Sequence, residues 1–146
     1  RIAAKGRSFA FRDFAHAPSK LKATVDAVRE QYPSQPLIAC MELHTFSSLN
    51  RDYLLHYSHT MDAADVAAVF YHPNTLRLKR LPEISPSEVK KAFGREDLLV
   101  FCEREQLVAW LKGLFADDMV LLLMSSGDFH GLKVNEILKE RGFDVQ

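Results

Sequence analysis

At 146 residues, with 47% hydrophobic and 26% charged positions, the chain has the size and composition of one globular domain with one core. Nineteen Lys and Arg balance nineteen Asp and Glu, so bulk charge points to neither nucleic acid nor a membrane as partner. No apolar run approaches the roughly 18 residues of a membrane helix, and no secretory leader is visible.

The start at Arg1, without Met, suggests an excised domain or a processed fragment. Residues 8–15 read as a strand, with a short one at 2–4 before it. Residues 19–32 place Leu21, Val25, Val28 and Tyr32 on one helical face, with Ser19 as the expected N-cap after Pro18. Residues 37–43 are a continuous apolar run of strand length, 49–57 a short helix, and 66–71 a strand again. Residues 72–82 form the longest expected loop. Ser85-Pro86-Ser87-Glu88 then combines a cap, a proline in the first turn and Glu three residues on, opening a helix that ends at Gly94. Residues 98–102 read as a strand, and 104–115 as a helix with Leu107, Val108, Leu111 and Phe115 inward. Residues 119–124 are the most apolar strand. A helix over 131–141, closed by Gly142, and a short strand at 143–145 complete the chain.

Strands alternating with helices indicate βαβ units and an α/β domain with a mainly parallel sheet. The runs at 37–43 and 119–124 do not alternate, as expected of strands covered on both faces. Cys40 and Cys102 both fall in strands and read as buried free thiols, which fits a reducing, cytoplasmic compartment.

In open α/β sheets, ligands bind beyond the carboxyl ends of the strands. Those ends are polar here: Asp13 to His16, Glu42 to Thr45, Tyr71 to Pro73, Glu103-Arg104, and Ser125 to His130. His16, His44, His72 and His130, four of the six histidines, therefore fall on one edge. A neutral imidazole accepts from an amine or donates to a phosphate near working pH, whereas a lone loop His often does no more than bond to backbone. The Ser125-Ser126-Gly127 turn entering a helix exposes N–H groups suited to an anion. Spacing for a metal site, a G-x-S-x-G elbow, a G-x-x-x-x-G-K-[ST] loop and a G-x-G-x-x-G turn are all missing.

Asp13-Phe14-Ala15-His16-Ala17-Pro18 resembles the D-[YF]-[AG]-H-x-P motif that opens the C-terminal domain of the Mur ligases, and Lys22 to Arg29 is similar to the helix after it. Glu42 to Ser48 falls where muramate–alanine ligases carry H-R-[FY]-T-R, and Met124 to Phe129 where they carry a G-A-G-[ND]-[IV] turn. The matches are collinear and cover nearly the whole chain. Within the family the likeness is greatest to the ligases of cell-wall peptide recycling. Thr45 and Ser48 stand in place of the two arginines of the second motif, Ala17 in place of a common second His, and Ser125-Ser126 in place of Gly-Ala.

The resemblance implies a Rossmann-like three-layer sandwich with about six strands, residues 1–146 being a single domain of a three-domain ligase. It implies ATP-dependent amide formation between UDP-N-acetylmuramate and a murein tripeptide, L-Ala-γ-D-Glu-meso-diaminopimelate. ATP and Mg would be held mainly by the central domain, so this chain alone would be inactive and would hold no metal. Asp13 and His16 would face the nucleotide and the reacting amine; His44, Ser47 and Ser48 would line the peptide pocket; Ser125, Ser126 and Asp128 would border it. The alternatives are the alanine-adding ligase of de novo synthesis and a free-standing α/β binding module.

Overall fold

The computed structural model describes residues 1–114 and 117–146. Its strands are β1 (Ala3–Lys5), β2 (Ser8–Asp13), β3 (Leu37–Glu42), β4 (Val66–Phe70), β5 (Leu99–Phe101), β6 (Val120–Met124) and β7 (Asp144–Val145). Its helices are α1 (Pro18–Gln31), α2 (Arg51–Leu54, continued by a 3-10 turn at Leu55–Tyr57), α3 (Pro73–Leu78), α4 (Pro86–Phe93), α5 (Arg104–Gly113) and α6 (Val134–Glu140).

The strands form one seven-stranded sheet in the order β5-β4-β3-β6-β2-β1-β7. The five from β5 to β2 run parallel, and β1 pairs antiparallel with both β2 and β7. Two apolar layers cover the sheet. One gathers Leu21 and Val25 of α1, Leu54 and Tyr57, Leu76 of α3 and Val89 and Phe93 of α4. The other gathers Leu107 and Leu111 of α5 with Val134, Ile137 and Leu138 of α6. Every residue of β3 and β6 is buried between them, which is why neither strand alternates in sequence. The α/β three-layer expectation holds, with seven strands where about six were expected.

Local chemistry explains the boundaries. In α4, Ser85 Oγ accepts from the Glu88 N–H at 3.2 Å while the Glu88 carboxylate accepts from the Ser85 N–H at 2.9 Å. The helix closes at Gly94 with φ 66°. Ser19 is not the cap of α1: the helix starts at Pro18, after an extended Ala17 that offers no side-chain bond. Residues 73–78, expected as loop, form α3, because Pro73 pre-sets the first turn and His72 Nδ1 accepts from the Asn74 N–H at 3.1 Å. Helix α6 begins at Val134 and not at 131, because Phe129, His130 and Gly131 have φ of 55°, 57° and 78°, outside a right-handed helix. Of the inward set assigned to α5, Leu107 and Leu111 are buried and Val108 half-buried; Phe115 lies outside the described residues. Cys40 is buried, as expected, whereas Cys102 is half-buried.

The chain leaves β3 into the layer of α2 and leaves β6 into the layer of α6. Adjacent strands that exit to opposite faces open a crevice between their carboxyl ends. That switch point, between Glu42 and Ser125, organises the site. At the far edge the two ends of the chain meet: Ala3 pairs with Val145, and the Gln146 N–H donates to the Ile2 carbonyl at 2.9 Å. Among the described residues no helix is long and apolar enough to cross a membrane.

Candidate functional site

Along the carboxyl edge the parallel strands present, in order, Glu103 and Arg104 after β5, His72 after β4, Glu42 and His44 at β3, Ser125 to Gly127 after β6, and Asp13 to His16 at β2. The four edge histidines are thus on one side of the molecule, as expected, but they do not form one cluster.

Glu42 occupies the centre. It is 3% exposed, and its Oε1 accepts from the Ser125 hydroxyl at 2.5 Å and from the Phe129 N–H at 3.0 Å. Ser125 Oγ in turn accepts from the Gly127 N–H at 2.8 Å, while the Ser125 N–H donates to the Asp13 carbonyl at 3.1 Å. Gly127 passes so close that a Cβ there would lie 3.0 Å from both Glu42 Oε1 and His44 Cδ2. Glu42, His44, Ser125 and Gly127 therefore form one packed unit at the switch point. Ser126 follows with its Oγ shielded from solvent and unpartnered, and Asp128 is exposed.

On the β2 side, Asp13 Oδ1 accepts from the Ala15 N–H at 2.7 Å, tightening the chain as it leaves the strand. His16 turns back on itself: Nδ1 lies 2.9 Å from the Phe14 carbonyl, and the ring meets Phe14 edge-on at 5.3 Å. The His16 carbonyl accepts from the buried Tyr57 hydroxyl, which anchors the motif to the core. Burial pushes the Tyr57 phenol up, so it stays a donor. Asp13, His16, Lys20 and Thr24 line one open hollow, in which carboxylate, imidazole, amine and hydroxyl suit a ribose and a phosphate.

On the β3 side, His44 is half-buried against Gly127 and Ser47 is exposed. Ser48 is 1% exposed and spends its groups locally: its N–H donates to Thr45 Oγ1 at 3.1 Å and its hydroxyl to the Thr45 carbonyl at 3.0 Å. Of the expected pocket residues, Ser48 and Ser125 are therefore both buried with their hydroxyls engaged inside the protein, and the Ser126 hydroxyl is shielded as well.

His72 and His130 stack on the β4 side, and Arg104 donates to the His130 carbonyl at 3.3 Å. Burial, and then His130, hold the His72 imidazole below the usual range. Sequence reasoning named Glu42 only as a strand end. Its signal, a lone carboxylate closing an apolar strand, is equally that of a solvated end; only the fold brings Ser125 and Phe129 to it. Among the described residues no group of three or more His, Cys, Asp or Glu is placed to hold a metal ion. The edge thus offers a polar crevice with a nucleotide-compatible hollow on one flank and an imidazole pair on the other.

No family model matches the chain. It is 42% identical over 129 residues to the UDP-N-acetylmuramate–L-alanine ligase of Limosilactobacillus reuteri, covering 87% of this chain and 28% of that protein. It is 32% identical over 136 residues to the ligase of the same name from Streptococcus equi subsp. zooepidemicus, covering 90% and 27%. The chain therefore spans little more than a quarter of the length of these curated relatives. Among solved structures, a domain ascribed to a UDP-N-acetylmuramate:L-alanyl-γ-D-glutamyl-meso-diaminopimelate ligase of Haemophilus ducreyi superposes with TM-score 0.63 at 21% identity. That match covers 96% of this chain and 97% of that one. A murein peptide ligase of Psychrobacter arcticus superposes with TM-score 0.69 at 17% identity, covering 99% and 30%. At these identities the two structures speak for the fold.

Proposed function

Because the chain belongs to the Mur ligases and matches their C-terminal domain, we propose that it is the amine-binding domain of a three-domain, ATP-dependent cytoplasmic ligase. The parent enzyme joins the tripeptide L-Ala-γ-D-Glu-meso-diaminopimelate to UDP-N-acetylmuramate in peptidoglycan recycling. ATP, when bound, supplies the phosphoryl group that activates the carboxylate, and the central domain holds it with Mg. Asp13, His16 and Lys20 face the nucleotide from their shared hollow. His44, Ser47, Ser126 and Asp128 border the incoming amine, and an ionised Asp128 meets its ammonium groups. Ser48 acts through the turn it fixes. Lacking a phosphate loop, this chain alone forms no amide.

The loop from His44 to Ser48 carries the choice of acceptor. Thr45 and Ser48 bond to each other and present no cation. Arg51, next along, is already engaged with the Glu83 carbonyl at 2.7 Å and the Glu88 carboxylate at 3.2 Å. A single amino acid has its carboxylate beside its amine and needs a short-range forked clamp. A tripeptide carries its remaining carboxylates further off, where other groups can hold them. The 42% identity to an L-alanine ligase favours the second reading, addition of free alanine in de novo synthesis.

Competition between tripeptide and L-alanine in one assay of the parent enzyme separates the two. A preference for tripeptide of about a hundredfold in kcat/KM, or about 2.7 kcal/mol, is expected. Equal or faster use of alanine returns the protein to the biosynthetic branch.

A further inference from the structure

Resting on the amine-binding reading above, we infer that Glu42 is a positioning residue. Its buried carboxylate holds the turn from Ser125 to Gly131 in the strained form that presents the exposed Asp128 and His130 to the acceptor.

A carboxylate 3% exposed at the end of an otherwise apolar strand is costly to bury unless its lone pairs are used. Packing alone would be served by a leucine or methionine there. Glu42 instead grips the turn at two points, directly at the Phe129 N–H and through Ser125 Oγ at the Gly127 N–H. The turn needs such a grip. Phe129, His130 and Gly131 are three consecutive residues at positive φ, and two of them are not glycine. For L-residues that region is unfavourable and persists only where surrounding contacts enforce it.

Three contacts do so here. Glu42 binds the N–H of the first strained residue, the Phe129 ring is fully buried beside Phe70, and the Asp128 carbonyl accepts from the Leu132 N–H at 3.1 Å. Gly127 contributes by lacking a Cβ, which would strike Glu42 and His44. The result reverses the chain between β6 and α6, leaves Asp128 exposed, and delivers His130 onto His72. Glu42 acts only through these groups. Two acceptor lone pairs at the right place are what it supplies, so a glutamine, whose amide oxygen accepts the same two bonds, should replace it where alanine cannot.

The test has two arms. In the first, amide exchange is followed in this chain. Glu42→Ala is expected to speed exchange of the Gly127 and Phe129 amides by about a hundredfold while the β3–β6 ladder keeps its protection, and Glu42→Gln to stay near wild type. In the second, kinetics are measured in the parent ligase. Glu42→Ala is expected to raise KM for the amine acceptor by about tenfold or more with KM for ATP unchanged, and Glu42→Gln to restore it.

If Glu42→Ala does not fold, Ser125→Ala removes the relay to Gly127 and is expected to raise the acceptor KM in the same direction by a smaller factor; an unchanged value overturns the role. Faster exchange with an unchanged acceptor KM also overturns it while leaving the ligase reading intact. Equal losses in the KM for every substrate would make Glu42 merely structural. Absence of any ligation by the wild-type parent removes the ligase reading itself, and the positioning role with it, even if exchange responds as expected.

Discussion

The imidazole of His130 lies flat on that of His72, ring centres 3.9 Å apart and planes within 17°. Face-to-face contact suits neutral rings and is repulsive for two imidazolium ions. His72 also accepts the Asn74 N–H at Nδ1, a bond that a proton on that nitrogen would abolish. Burial, the neighbouring His130 and Arg77 favour the neutral ring, against the opposing pull of Glu105 and Glu103.

The stack should therefore open on acidification. The unfolded chain takes up this proton near the ordinary value of 6.5, whereas folded His72 takes it up only at lower pH. Between those two points the unfolded state holds more protons, so stability rises with pH through that window. It is complete above about 6.5 and declines as pH falls through the folded midpoint. In a proton NMR titration the His72 ring should show a midpoint below the ordinary value of 6.5, and His130→Ala should move it upward. An unmoved midpoint would mean that the stack does not govern His72.

His16 holds the fold through its carbonyl and not through its ring. We expect His16→Ala in the parent ligase to lower kcat and kcat/KM together while changing stability by about 1 kcal/mol or less. Tyr57→Phe should do the reverse. It removes the hydroxyl that anchors the motif and should cost about 1 kcal/mol in denaturant unfolding, with turnover less affected. Early unfolding of the His16 variant with normal turnover would make the ring structural.

Two glycines provide a matched pair. Gly127→Ala forces a methyl to within 3.0 Å of Glu42 and His44 and should destabilise by about 1–3 kcal/mol. Gly113→Ala meets nothing within 4 Å, at the end of α5, and should be neutral or stabilising by up to about 1 kcal/mol. Similar melting temperatures for the two variants would show that the turn relaxes freely.

The thiols should react in two stages. Burial, and then Glu42, push the Cys40 thiol far up, and burial also raises half-buried Cys102. At pH 7.5 to 8 a thiol reagent should modify Cys102 slowly and Cys40 only on unfolding, about 1 equivalent before denaturant and 2 after. Rapid labelling of both in the native protein would mean that the sheet opens locally.

Features legible in the sequence were those whose causes lie within a few residues. Ser85 and Glu88 cap α4 across three positions, and the unbroken apolarity of β3 and β6 follows from cover on both faces. Ser19 misled because the proline before it sets the helix start. Helix α3 was missed because its cap is an imidazole nitrogen outside the usual Ser, Thr, Asp and Asn set. The centre of the site was out of reach for another reason. Glu42 meets its partners across 83 and 87 residues of chain, and nothing local to Met41-Glu42-Leu43 distinguishes a gripping carboxylate from a solvated one.

Strand β7 closing on β1 leaves residues 1 and 146 side by side on the sheet edge away from the crevice. A segment fused at residue 1 and one fused at residue 146 would both leave the domain from the same place, at the edge of the sheet opposite the crevice. The same adjacency makes the order of elements dispensable. A short linker from 146 back to 1, with new ends opened at the exposed Pro82 between α3 and α4, should give a permuted chain with the same sheet.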